Sequence, residues 1–380
     1  MPALPALGAL SIGSLPFTDA HHACRRILQH FPEIPAWPQL PRRSFQENMY
    51  AQFSERFPGI VLAADRLWVD RQQDLSPALE ALYAAYLEDD LSYGEISPDY
   101  AAALRPFLDL VAADPCPRAQ RRDATLPPSA AKGRPTPTNR RLAAPRNTQY
   151  ALEAPPLCLK AQVTGPVSWG LTVLDGDRRP TLYDEVLADA IARHLRLKAR
   201  WLERALRQTC PHTLISVDEP YLSSFGSAYV SLGREQAIAL IEEVLSGIDG
   251  LTMVHCCGNT DWSLLLETSV DVLSFDAYSY AAHVSLYPEE IAAFLDRGGM
   301  LAWGITPKSD DAYSETIEGL VDRLCEAMRA LAGKGIHIDD ILHASLISPS
   351  CGLGLLSEPL SEHVLELTAG VSSAMRERYA

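Results

Sequence analysis

Short apolar runs of β type recur along this chain, each ending in small or polar residues and most followed by an amphipathic helical stretch. The runs are Leu7–Ser14, Ile60–Ala64, Leu157–Thr164, Thr213–Asp218, Leu251–Cys257, Val272–Asp276, Met300–Ile305 and Ala344–Ser348. Helical periodicity fills most of the intervals, as in Leu182 to Leu206, Arg234 to Leu245, Pro288 to Leu295, Thr316 to Leu331 and Ser361 to Met375. Eight strands alternating with helices predict an α/β fold, a single (β/α)8 TIM barrel spanning residues 1–380, rather than an open doubly wound sheet. No glycine-rich phosphate fingerprint follows the first run, which also disfavours the open sheet.

One stretch breaks the rhythm. Between residues 115 and 147 there are seven prolines, eight Lys or Arg and one acid, Asp123, with no aromatic residue. Such a segment buries too little apolar surface to offset its ordering entropy. The expectation is a flexible Pro/Arg-rich insertion, either a solvated linker or a basic patch that docks a partner near the rim. The whole chain carries 33 Lys+Arg against 48 Asp+Glu, a formal net charge of −15. That balance excludes a non-specific nucleic-acid or anionic-membrane binder, since both need a basic footprint. No run of apolar residues is long enough to span a bilayer, and the first charged residue is Asp19, so a cleaved signal peptide is not expected. A cytoplasmic location is expected, where the eight cysteines stay reduced as core filler, metal ligands or nucleophiles.

Polar residues collect where the runs end. Ser14, Asp65, Thr164-Gly165-Pro166, Asp218-Glu219-Pro220, His255 with Cys257, Asp276, Thr306-Pro307 and Cys351 all fall at or just past a strand end. In a barrel those ends form the rim on which active sites are built. The sharpest cluster is Met253-Val254-His255-Cys256-Cys257-Gly258-Asn259. Side chains alternate along a strand, so His255 and Cys257 share one face and Cys256 points to the other. Imidazole and thiolate are zinc ligands, and a third would come from Cys351 or Asp276 on later strands. The competing interpretation is two core cysteines and a hydrogen-bonded core histidine. For Asp218-Glu219 the choice lies between a rim carboxylate pair that binds substrate and a helix cap. The remaining cysteines, Cys24, Cys116, Cys158, Cys210 and Cys325, lack a second ligand at metal spacing.

Taken in order, Ile12-Gly13-Ser14-Leu15-Pro16, Thr164-Gly165-Pro166-Val167, Val217-Asp218-Glu219-Pro220, His255-Cys256-Cys257-Gly258-Asn259 and Ser350-Cys351-Gly352-Leu353 resemble a known family. They look like the catalytic barrel of cobalamin-independent methionine synthase, in the superfamily of uroporphyrinogen decarboxylase and the corrinoid-dependent zinc methyltransferases. The resemblance runs from about residue 8 to the C-terminus, interrupted by the insertion. It implies Zn2+ on His255, Cys257 and Cys351, with Asp276 where the family's synthases place a glutamate ligand. It implies Ser14 and Asp218, with Glu219 beside it, as substrate-binding residues for the amino-acid end of homocysteine. Glu47 is a loose match for a further anchoring glutamate, and Tyr278 or Trp303 could line the donor side or simply pack. The single barrel resembles the short core form, which implies methylcobalamin or a methylated corrinoid protein as methyl donor. Transfer to another thiol of the coenzyme M kind, a decarboxylase using Arg42-Arg43, and a closed, non-catalytic zinc site are the alternatives.

Overall fold

A computed structural model of the chain describes residues 4–113, 154–228 and 230–379. The strands in chain order are β1 (Gly8–Ala9), β2 (Ile60–Ala63), β3 (Arg66–Val69), β4 (Leu159–Thr164) and β5 (Leu174–Asp175). They continue with β6 (Thr213–Asp218), β7 (Leu251–Cys256), β8 (Val272–Phe275), β9 (Met300–Thr306) and β10 (Ser345–Pro349). Seven of them make one curled parallel sheet in the order β1-β10-β9-β8-β7-β6-β4. Helices cross between successive strands, giving a TIM-like α/β architecture. The helices fall where the periodicity puts them: Glu185–Arg207, Arg234–Leu245, Pro288–Asp296, Ile317–Ala332 and Glu358–Tyr379. The longest crossover helix, Glu185–Arg207, starts at Asp184, whose side chain accepts from the Val186 and Leu187 amides, and buries Leu187, Ile191, Leu195, Leu202 and Leu206.

The edge strands β1 and β4 both reach one extended segment. Ala36 bridges Lys160 on β4, and Gln39 bridges Ser14 beyond β1. Trp37 N donates to Lys160 O at 2.9 Å and Gln39 N to Gly13 O at 3.1 Å. This segment, Ile34 to Leu40, is buried throughout. It is not a regular strand, because Pro35 and Pro38 have no N–H for a ladder. Its prolines also hid it from the strand pattern.

The run expected as the second barrel strand lies elsewhere. Ile60–Ala63 pairs antiparallel with β3, and β3 pairs with β5, in a separate three-stranded sheet. The hairpin turns through Ala64, which has a positive φ of 53°. Asp65 therefore sits exposed in a hairpin turn and is not a rim residue of the parallel sheet.

Alternation along the strands divides the core in two. Outward-facing Val217, Val254, Phe275, Trp303 and Ile347 pack under the helices. Inward-facing Leu10, Ile12, Leu214, Met253, Val272, Ala302 and Leu346 form a separate apolar cluster inside the curl. That plug fills the end at which the strands begin. Towards the strands' C-terminal ends the inward residues become polar: Gln162, Ser216, Asp218, His255, Ser274 and Ser348, all buried, with Lys160 buried lower on β4 in register with Leu214. The 115–147 insertion lies outside the described residues. The chain re-enters them next to the start of β4, where Leu157 N donates to Glu33 O at 2.9 Å, at the end of the sheet opposite the polar rim. No helix among the described residues is long and apolar enough to cross a membrane.

The junction between the sheet edges is tightest at Gly13, which has a φ of 145° and faces the Gln162 amide. A Cβ there would lie 2.4 Å from Gln162 Cδ, whose Nε2 is held by Trp37 O at 2.9 Å. Gly13→Ala is expected to cost about 1–3 kcal/mol of stability. Gly176→Ala, where an added Cβ meets nothing within 4 Å, should stay within about 0.5 kcal/mol of the parent. Chemical denaturation of both variants checks this, and equal losses would contradict it.

Candidate metal centre at the rim

His255 is the fifth residue of β7, and Cys257 follows the strand directly. Cys351 follows β10 from across the curl. One ligand atom from each of His255, Cys257 and Cys351 lies within 4.8 Å of the others. This is the convergence expected from alternation. Cys256 points the other way, packs under the helices and donates to Gly258 O at 3.5 Å; burial pushes its thiol up to about 12.

The register pairs His255 with Ser274 on β8, and His255 Nδ1 lies 2.9 Å from Ser274 Oγ. Nε2 is buried without a hydrogen-bond partner. A ring with one nitrogen held by a hydroxyl and the other free is the arrangement that metal-ligating histidines use. The two thiols are coupled. A hydrogen bond from Cys257, opposed by burial and helped by His255 and by the Lys308 ammonium, holds Cys351 well below the ordinary thiol range. The same hydrogen bond, with burial, raises Cys257. Two thiols this close to each other and to the imidazole offer a ligand set for a soft divalent cation. The orphaned nitrogen and the paired thiols therefore fit zinc.

The three groups open on a cavity of about 330 Å³ that Ser14, Glu47, Asp218 and Lys308 also line. Ser14 is locked to the loop carrying Cys351. Its Oγ accepts from Gly354 N at 3.2 Å, its carbonyl accepts from Leu353 N at 2.9 Å, and a Cβ on Gly352 would stand 2.3 Å from that Oγ. Asp218 accepts from Ser216 Oγ at 2.6 Å. Burial raises its carboxyl, against the pull of the Lys160 and His255 charges. Lys160 is fully buried below it, donating to Ile12 O at 2.6 Å; desolvation lowers its ammonium to about 8, with Asp218 opposing. Glu47 faces the cavity but is engaged by Arg43 Nη1 at 2.8 Å and Leu40 N at 3.2 Å.

Two expected residues are drawn to helix ends. Glu219 receives Val167 N at 2.9 Å, Ser168 N at 2.7 Å and Ser168 Oγ at 2.6 Å, closing the N-terminus of helix Pro166–Thr172. Burial pushes it up to about 7. It does not line the cavity. The glycine at 165 is explained by it, because a Cβ there would be 2.2 Å from the Glu219 carboxyl. Asp276 caps helix Ala277–Val284, accepting from Ser279 N at 2.9 Å, and stands outside the 4.8 Å cluster. Trp303 is buried with Nε1 on Ser345 Oγ, and Tyr278 bonds Glu315, so neither faces the cavity. Arg42 is on the Leu355 carbonyl and Arg43 on Glu47.

Lys308 is the residue that sequence reasoning missed. It follows Thr306-Pro307 at the end of β9, a rim position singled out only for its neighbours. A lysine next to a strand end carries no distinguishing local signal.

No protein-family model matches the sequence, and no curated protein sequence matches it. Among solved structures, a methyltransferase from Methanosarcina mazei is similar, with a TM-score of 0.56 and 12% identity, covering 99% of this chain and 95% of that one. At that identity the likeness is one of fold. Fold and site together define a TIM-like α/β protein with an imidazole–dithiol cluster at its polar rim.

In metal-free protein, brief iodoacetamide treatment at pH 7 should modify Cys351 before Cys257, because only the former's thiolate persists below the ordinary thiol range. Peptide mass spectrometry reads the order, and the reverse order would contradict the proton arrangement. Ser274→Ala should weaken zinc binding about 10- to 100-fold, measured by competition with a chromophoric chelator.

Proposed function

We propose that this chain is a zinc-dependent S-methyltransferase that moves a methyl group to a thiol, with homocysteine as acceptor, methionine as product and a methylated corrinoid as donor. The observation that carries the reading is the convergence of His255, Cys257 and Cys351 within 4.8 Å at the wall of a cavity of ligand size. Three protein ligands with an open side match catalytic rather than structural zinc, and the capping role of Asp276 favours that count. The fold shared with a protein named as a methyltransferase supports methyl transfer as the reaction class.

Zinc, held by His255, Cys257 and Cys351, would supply a Lewis acid that favours the thiolate form of a substrate thiol at neutral pH, where a free alkyl thiol of pKa roughly 8.5 is mostly protonated. The chain's own residues do the rest. Ser274 keeps the His255 ring oriented, so that the nitrogen it offers does not wander. Asp218 offers a buried carboxylate to the ammonium of the amino acid, and Ser14 offers a hydroxyl to its carboxylate. The Ser14 side of the cavity is fixed relative to the Cys351 loop through the Ser14–Gly354 contact. Holding thiol and donor methyl in line removes part of the entropic barrier. No side chain needs to carry the methyl group. With segment 34–40 taken as the eighth stave, the curl is a closed barrel whose rim is the docking face for a corrinoid carrier, in a cytoplasmic protein. The decarboxylase alternative is disfavoured, because Arg42 and Arg43 already have partners and the thiols would have no purpose.

Protein purified without chelator should hold about one zinc per chain, and Cys351→Ser should lose zinc and transfer together. Methionine should form from homocysteine with methylcobalamin and not with methyltetrahydrofolate, as followed by chromatography. Transfer from the folate alone would overturn the corrinoid donor. Faster methylation of 2-mercaptoethanesulfonate than of homocysteine would reassign the acceptor, and absence of zinc would sink the mechanism.

A further inference from the structure

Gln39 has a place in the cavity wall that the metal centre does not account for. It lies on the proline-interrupted segment, bridged to Ser14 on the neighbouring edge, and both residues line the cavity. Its amide nitrogen is committed. Gln39 Nε2 donates to Gln52 Oε1 at 2.5 Å, and Gln52 Nε2 donates to the Tyr100 carbonyl at 2.5 Å. The order of donors is set from the far end. A backbone carbonyl only accepts, so Gln52 must turn its NH2 to Tyr100 and its oxygen to Gln39. Gln39 must then turn its own NH2 to Gln52. The group left over is the Gln39 carbonyl oxygen, which no donor among the described residues reaches. That oxygen is not sealed in protein, and the side chain is buried except towards the cavity.

The neighbouring polar groups sort by the same reasoning. Ser14 Oγ accepts from Gly354 N at 3.2 Å, which leaves its proton to donate. Glu47 has one carboxylate oxygen on Arg43 and the other on the Leu40 amide, so its charge is already met. Asp218 lines the cavity from the other side of β4, with one oxygen on Ser216. The cavity thus offers a donor at Ser14 and two acceptors, the Asp218 carboxyl and the Gln39 oxygen. A ligand that brings an ammonium can satisfy both acceptors. A ligand without an amine would take the Gln39 oxygen out of water and leave it unpaired.

We propose that Gln39 is a specificity-determining residue: its amide oxygen accepts a hydrogen bond from the ammonium of an α-amino acid acceptor, and so selects such a thiol over thiols that lack the amine. The inference rests on the zinc methyltransferase reading and deepens it by naming a group that reads the acceptor's amino end. Gln52 is the positioning residue behind it, since its own bond to Tyr100 holds the Gln39 amide in the orientation that presents oxygen. A hydrogen bond from a charged donor is among the stronger ones, and losing it at a buried site corresponds to about 10- to 100-fold in affinity.

The test uses the full chain loaded with zinc, as wild type, Gln39→Met and Gln52→Met, with binding measured by calorimetry and zinc content measured on the same samples. The ligands are homocysteine and 4-mercaptobutanoate, the same molecule without its amine. Wild type is expected to bind homocysteine at least about tenfold more tightly than 4-mercaptobutanoate. Gln39→Met should keep its zinc, hold 4-mercaptobutanoate as before, and lose about 10- to 100-fold for homocysteine. Gln52→Met releases the Gln39 amide to rotate and should lose a smaller part of the same preference. A wild type that holds the two thiols equally well would overturn the inference, whether or not the variants fold. Equal effects on both thiols in a folded Gln39→Met protein would also overturn it, by reducing Gln39 to a structural part of the seam. A wild type that retains no zinc and binds neither thiol would instead overturn the reading on which the inference rests.

Discussion

A parallel sheet that curls on itself must satisfy two free edges, each a row of unpaired backbone groups. In this chain both edges end on the same proline-interrupted segment, and the site depends on that meeting. Ala36 and Trp37 join β4, Gln39 joins the strand extension at Gly13 and Ser14, and Lys160 with Gln162 spans the gap from inside. Regular pairing is impossible where Pro35 and Pro38 lack donors. Buried side-chain donors supply part of what the ladder cannot: Lys160 Nζ on the Ile12 carbonyl and Gln162 Nε2 on the Trp37 carbonyl. This junction sets the height of Ser14, and Ser14 in turn receives the loop of Cys351. A distortion at the seam is therefore transmitted to a metal ligand through two hydrogen bonds.

The interior above the apolar plug is the second constraint. Lys160, Asp218, His255 and the paired thiols are removed from water together, so each influences the charge of the next. Burial alone disfavours the charged forms of Lys160, Asp218 and the two thiols. Their mutual proximity keeps Cys351 towards thiolate and restrains the rise at Asp218. The imidazole and the two thiols thus fit a soft divalent cation.

Much of the candidate site was legible before any coordinates. Period-two alternation assigned His255 and Cys257 to one face and Cys256 to the other, since a strand leaves no alternative. Apolar runs located the sheet strands, and the caps and stripes located the crossover helices. The residues that resisted were of two kinds. Ile60–Ala63 has the composition of a strand, but composition does not say which sheet will accept it, and the true occupant of that place is disguised by its prolines. Glu219 and Asp276 are acids at strand ends, where a substrate contact and a helix cap look alike. Glu219 went to the helix after β4 because three donors converge on it there, and Asp276 went to the helix that follows it.

By itself, the sequence determined the alternating architecture, the direction of each side chain along its strand, and a supply of imidazole and thiol at strand ends. Those properties are local, fixed by backbone geometry and hydrophobic period. Only the tertiary structure decided that residues 257 and 351, some ninety positions apart, converge with His255, that Asp218 faces the cavity while Glu219 does not, and that Lys308 lines the same cavity. Each of these depends on the curvature and register of the sheet, which arise from packing the whole set of strands around one apolar plug and are encoded in no single segment.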